Sequence, residues 1–184
     1  MRLFLVRHPA PLVAPGICYG STDVGVAPPE LARVVTALSA TLPRGAPLFS
    51  SPLRRCAELA GKLAARLECS SLTFDARLAE MDFGAWEMRN WDDIARAEID
   101  AWAADVAGFC PGGGESVRQM TERVAAFHAE SICRQQEHAI IICHAGTMRV
   151  LAACQPGLSL LEMALQAART PHHIGYGETI IVDA

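Results

Sequence analysis

Two histidines, two arginines and a glutamate are the residues of this chain whose types and settings could do chemistry together. Arg7-His8 directly follows the apolar run Leu3-Phe4-Leu5-Val6, and His144-Ala145-Gly146 follows Ile140-Ile141-Ile142-Cys143. Continuous apolar runs of this length read as strands buried on both faces, and open α/β sheets place ligand sites at the C-terminal ends of such strands. Neighbouring parallel strands bring those ends together, so both histidines are expected at one site. Ser51-Pro52 reads as a helix start, with a hydroxyl N-cap and proline at the first helical position. Arg54 and Arg55 then fall in the first turn of that helix, close to the end of the short strand Pro47-Ser50.

Two guanidiniums and two imidazoles around one point form an anion site. The planar fork of arginine suits phosphate oxygens, and a helix start at Ala145-Gly146 could add backbone N–H donors. A neutral imidazole is a competent nucleophile at phosphorus, and a phosphohistidine splits one difficult displacement into two. The arginines and the second histidine supply positioning and charge stabilisation. A carboxylic acid such as Glu80 could protonate the leaving alkoxide and then take a proton from water; Asp82 or Glu115 could serve instead.

The elements that must position these groups alternate between strand and helix, which argues for an α/β layered domain. Residues 9–29 form a Pro/Gly-rich loop long enough to suggest function. Helices are expected from Pro28 to about Leu42, from Ser51-Pro52 to Leu67, from Glu115-Ser116 to about Gln136 and from Ala145 to Cys154. Further strands are expected at Leu72-Phe74, Glu162-Gln166 and Glu178-Val182. Between about Asn90 and Cys110, short helices carry Trp91, Ile94, Ile99, Trp102 and Val106 as a sticky face, read as insertion packing or a homodimer contact.

Composition bounds the rest. A chain of 184 residues fits one domain with a sizeable core, carrying a small insertion. The net charge of -4 argues against a nucleic-acid partner. No apolar stretch approaches the ~20 residues needed to cross a bilayer, and the N-terminus has no signal-peptide pattern. Seven cysteines, none in C-x-x-C spacing, indicate neither a disulfide framework nor a zinc ribbon and fit a reducing cytoplasm. His172-His173 resembles a metal pair, but neighbouring side chains rarely chelate one ion, so no metal and no cofactor is expected. Cys143 should face away from His144 because adjacent strand residues point to opposite faces. Tyr19 and Trp86 read first as packing residues.

Five segments carry a resemblance. Arg7-His8 after a strand, Ser50-Ser51-Pro52-Leu53-Arg54-Arg55, Leu78 to Glu87, Gly113-Gly114-Glu115-Ser116 and His144-Ala145-Gly146 resemble the histidine phosphatase superfamily, in its order. The resemblance implies a three-layer α/β sandwich around a mostly parallel mixed sheet. It also implies one domain over residues 1–184, with a small helical insertion at about 88–115 over the site. It makes His8 the phosphorylated nucleophile, Glu80 the proton donor, and Arg7, Arg55 and His144 the phosphate pocket, with Arg54 a second choice to Arg55. The loop Cys18-Tyr19-Gly20-Ser21-Thr22-Asp23 matches a substrate-touching loop, which makes Tyr19 and Gly20 candidate binding residues.

Within the superfamily, the short length and that loop look most like the bacterial alpha-ribazole phosphatases. The resemblance implies hydrolysis of alpha-ribazole 5'-phosphate in cobalamin nucleotide-loop assembly. Alternatives are another small phosphomonoester (a sugar phosphate or nucleotide), a phosphohistidine protein, or a non-catalytic phosphate-binding module. Two departures stand out: Pro9 where the family usually has Gly after Arg-His, and Met88 where Gly usually follows Trp-Glu.

Overall fold

The computed structural model describes all residues except 133–136, 172 and 184, and the side chain of Ile132. Five strands form one sheet: β1 (Arg2–Arg7), β2 (Leu48–Ser50), β3 (Leu72–Phe74), β4 (His138–Cys143) and β5 (Thr179–Asp183). Their order is β3-β2-β4-β1-β5. β4 lies parallel to both β1 and β2, β2 is parallel to β3, and β5 closes the edge antiparallel to β1. A parallel sheet is covered on both faces, which is why β1 and β4 are nearly continuous apolar runs.

The covering helices are α1 (Pro28–Ser39), α2 (Arg54–Arg66), α3 (Arg96–Ala104), α4 (Val117–Ile132), α5 (Ala145–Ala153) and α6 (Leu160–Arg169). Successive strand residues point to opposite faces. Val6, Ile140 and Ile142 pack with α1 and α2, whereas Leu3, Leu5, Ile141 and Cys143 pack with α4, α5 and α6. The result is a three-layer α/β sandwich around a mostly parallel mixed sheet. A third, smaller cluster of Cys18, Trp86 and Ile94, with Phe83, Ile99, Trp102 and Phe109 packed against it, carries α3.

Three expectations need correction. Glu162-Gln166 is helix, inside α6. Ser159 accepts from the Glu162 amide while Glu162 reaches back to the Ser159 amide, a capping box. The Leu, Met, Ala and Gln that follow all favour helix. Secondly, α2 begins at Arg54 rather than at Pro52, because the Ser51 hydroxyl caps a turn at the Leu53 amide first. Thirdly, α1 ends at Ser39, not Leu42. The expected end of α4 near Gln136 lies outside the described residues.

Candidate active site

The parallel register sets the site. Arg7 lies opposite Cys143, so His8 and His144 leave the sheet at the same level. The His8 amide donates to the Cys143 carbonyl at 3.1 Å, and the two imidazole rings sit 5.1 Å apart, centre to centre.

His8 is 2% exposed, and its Nδ1 lies 2.7 Å from the Pro9 carbonyl oxygen. A carbonyl only accepts, so Nδ1 carries the proton and Nε2 keeps its lone pair. Burial first, then the positive charge of Arg55, lowers the His8 pKa to about 3; the Pro9 carbonyl opposes this and Arg7 adds to it. The ring is therefore neutral at neutral pH, the form that a nucleophilic imidazole requires. Proline lacks an amide hydrogen, but it keeps the carbonyl that fixes this tautomer.

Arg55 is fully buried at the start of α2. Its Nε donates to His144 Nδ1 at 3.2 Å, one terminal nitrogen to the Thr22 carbonyl at 2.8 Å, and the other to the Gly20 carbonyl at 2.5 Å. Guanidinium has five N–H donors. Three are held by protein, leaving two for an anion. His144 accepts from Arg55 at Nδ1, so its proton is on Nε2, which donates to the Ser51 hydroxyl at 2.8 Å. Both ring nitrogens are thus engaged, and burial, with Arg55 next, holds this histidine well below its ordinary pKa. His144 joins the site as a neutral brace for Arg55.

Arg7 donates to the Ile174 carbonyl at 2.6 Å and lies 4.0 Å above the Tyr176 ring. Its Nε is buried with no partner among the described residues. The Tyr176 hydroxyl meets the Tyr19 hydroxyl at 2.7 Å, so these two phenols form one wall of the site. Tyr19 lines the same cavity as His8. Gly20 does not: its amide donates to Glu87 and its carbonyl holds Arg55. A Cβ on Gly20 would lie 1.9 Å from the Met81 carbonyl oxygen, so the loop passes here only as glycine. Arg54 reaches Glu58 at 3.3 Å on the surface, outside the site.

Among the three acids considered, Glu80 is the one that lines the large cavity with His8. Its carboxylate accepts from the Met81 amide and the Gly146 amide, each at 3.0 Å. A Cβ on Gly146 would fall 2.3 Å from that carboxylate, which explains a glycine in the first turn of α5. Glu115 is committed to Arg123 by two bonds of 2.7 Å. Arg123 in turn donates to the carbonyls of Arg77, Ala79 and Glu80, clamping the backbone that presents the acid. Asp82 accepts from Ser21 and the Gly84 amide.

Sequence reasoning missed Glu87, Tyr176 and Arg149. Glu87 gathers the amides of Gly20, Ser21, Thr22 and Phe83. Burial opposes its charge, but these bonds and the Thr22 hydroxyl outweigh burial and hold its pKa below the usual value. It thereby shapes the loop whose carbonyls grip Arg55. Arg149 lies three residues beyond Gly146 on α5, a helical spacing that could have revealed it.

The cavity has a volume of about 940 Å³. Its lining includes a reactive group, Arg7, His8, Arg55 and Glu80, and an apolar group, Val13, Ile17, Phe83, Trp91, Ile99 and Trp102. The Trp91 and Trp102 rings are stacked at 6.3 Å and 9°. Trp86 is fully buried beneath them and donates to Glu98. Cys143 packs on the α4–α5 side, away from Arg55 and Ser51, while Cys56 lies 3.5 Å from His144. Burial pushes both thiols above their ordinary range. Among the described residues, no group of three or more His, Cys, Asp or Glu could hold a metal ion; His172 lies outside them.

The family model for the histidine phosphatase superfamily (branch 1) matches residues 3–176. The chain belongs to that superfamily. It is accordingly a phosphatase, acting on small phosphorylated substrates. The adenosylcobalamin/alpha-ribazole phosphatase of Salmonella typhimurium is 31% identical over 175 residues, 83% of this chain and 78% of that protein. A Hydrogenobacter thermophilus protein named as a phosphoserine phosphatase is 26% identical over 164 residues, 86% and 80% of the two chains. The crystal structure of the alpha-ribazole phosphatase from Shigella flexneri shares the fold with a TM-score of 0.80 at 23% identity, covering 100% of this chain and 90% of that one. No helix among the described residues is long and apolar enough to cross a membrane.

Proposed function

We propose that this phosphatase works through a phosphohistidine at His8 and that its substrate is alpha-ribazole 5'-phosphate, formed in cobalamin nucleotide-loop assembly. The observation that carries the mechanism is the neutral His8 ring, anchored at Nδ1, in one cavity with the Glu80 carboxyl. His8 Nε2 attacks phosphorus as the bond to the ester oxygen breaks, and Glu80 gives that oxygen its proton. Arg7 and the two remaining Arg55 donors neutralise the charge on the phosphoryl oxygens. Glu80, now a carboxylate, takes a proton from water; the water oxygen bonds to phosphorus, the P–N bond breaks, and phosphate leaves with His8 restored. His144 and Gly20 act through Arg55.

Substrate identity rests on the apolar part of the cavity. Its apolar, aromatic lining suits a leaving group that carries a flat heterocycle, as alpha-ribazole does, better than the small, charged serine of phosphoserine. The relative at 31% identity supports the same choice. The test compares kcat/KM for alpha-ribazole 5'-phosphate, phosphoserine, ribose 5-phosphate and an aryl phosphate, in excess chelator. A preference of at least tenfold for alpha-ribazole 5'-phosphate is expected. Equal values, or a preference for phosphoserine, would remove the substrate assignment and leave the phosphatase chemistry untouched.

A further inference from the structure

Arg149 is the one pocket-lining arginine that the mechanism above leaves without a task. Helix α5 presents Gly146, Arg149 and Val150 to the cavity at helical spacing. Gly146 holds Glu80, so Arg149 follows on the same face as the acid. One of its terminal nitrogens donates to the Ala168 carbonyl at 2.8 Å, and its Nε is buried with no hydrogen-bond partner among the described residues. Among the described residues it forms no salt bridge. Arg123, the other part-buried arginine nearby, is by contrast paired with Glu115 and three carbonyls.

A partly buried guanidinium with an unmet donor is costly unless an acceptor arrives to meet it. Position says where that acceptor belongs. Gly146, one turn before Arg149 on α5, donates to Glu80, and Arg149 and Glu80 line the same cavity. Arg149 therefore stands on the side of the acid, where the ester oxygen leaves.

We propose that Arg149 is a specificity-determining residue for the leaving group, binding an oxygen acceptor of the alcohol close to the ester oxygen. The inference rests on the reading that phosphate sits at His8 and that Glu80 serves the leaving oxygen. Together with the apolar wall at Trp91, it defines the substrate class as amphipathic phosphomonoesters: an acceptor-bearing carbon next to the ester, and a flat apolar body beyond. Ribose hydroxyls and carboxylates share the acceptor chemistry.

Three probes separate the possibilities in wild type, Arg149→Met and Arg149→Lys: phenyl phosphate, adenosine 5'-phosphate and 2-phosphoglycolate. Phenyl phosphate has no acceptor outside its phosphate; the other two offer hydroxyls and a carboxylate. Arg149→Met should lower kcat/KM for an acceptor-bearing substrate at least tenfold more than for phenyl phosphate, chiefly through KM, and Arg149→Lys should restore part of the loss. The larger loss names the acceptor, hydroxyl or carboxylate. The ratio between substrates is taken on one protein sample, so it does not depend on how much of a variant is folded. Equal losses on all three probes would overturn the proposal, reducing Arg149 to a brace between α5 and α6. Wild type that fails to turn over phenyl phosphate would instead sink the reading on which the proposal rests.

Discussion

At the phosphate site each reactive side chain is gripped by backbone, whereas the apolar part of the cavity lining is a wall of rings packed on one another. Arg55 is held by two carbonyls and His144, Arg7 by the Ile174 carbonyl, His8 by the Pro9 carbonyl, and Glu80 by two amides. Trp91 and Trp102 in that wall rest on each other and on Trp86 through ring contacts. Hydrogen bonds of fixed direction suit a group that must meet a transition state within fractions of an ångström. Ring packing suits a surface whose task is to accept one shape and exclude others. On the proposed reading, reaction and recognition of the apolar body fall to different residues that can be changed separately, while Arg149 adds selectivity beside the acid.

The largest test of that separation is Glu80→Gln. An amide cannot donate the proton that an alkoxide needs, so hydrolysis of an alkyl phosphate should fall by about 10²–10⁴. An ester with a good leaving group should lose far less in the first step. Equal losses on both would mean that Glu80 only shapes the site.

The buried histidines give the phosphate site its own pH signature. Because the folded pKa of His8 is depressed to about 3, the unfolded chain takes up a proton near 6.5 that the native site refuses. Stability should then fall as pH drops below about 6.5, by up to about 1.4 kcal/mol per pH unit for each such histidine, and should be unaffected above it. Urea midpoints at pH 7.5 and 5, with His8→Gln flattening the trend, check the sign; an unchanged slope in that variant would contradict it.

Trp91→Ala probes the apolar wall. Opening it should raise KM for a heterocycle-bearing substrate about tenfold while changing kcat little. A fall in kcat of the same size would erase the distinction between reactive groups and wall.

The smallest effect is expected where two segments behind the apolar wall pair with each other. Residues 16–18 pair with 88–91 through the bonds from Trp91 to Gly16 and from Met88 to Cys18. Met88 holds a φ of 62° there, a left-handed conformation that costs a side chain about 1 kcal/mol or more. Its side chain is half exposed and gains little from packing. Met88→Gly should therefore raise the melting temperature by about 2 °C. A drop would show that the side chain packs usefully after all.

The same division governs how much was legible in the sequence. The strands ending on Arg7-His8 and His144 declare themselves because each carries its apolar run and its chemistry in a few adjacent residues. Glu80, Arg55 and the Gly146 turn are equally local. Of the apolar wall, the face of Trp91, Ile99, Trp102 and Val106 was legible, but not its use, because residues 13–17, 83 and three helices complete the cavity. Glu87 was hidden because its work is to gather three amides from the distant 20–22 loop, besides that of Phe83, which spacing does not reveal. The misread of residues 162–166 had a visible signal in the Ser159-Glu162 capping box. The second role of His144, bracing Arg55, depends on which side each ring nitrogen faces, a matter of tertiary contact alone.

The central claim is that His8 carries the phosphoryl group, and rapid chemical quench during steady turnover tests it most directly. The account predicts an acid-labile, base-stable phosphoprotein that maps to His8 and vanishes in His8→Ala together with at least about 10³-fold of the activity. Turnover without labelled protein in wild type, or label on any other residue, would contradict it.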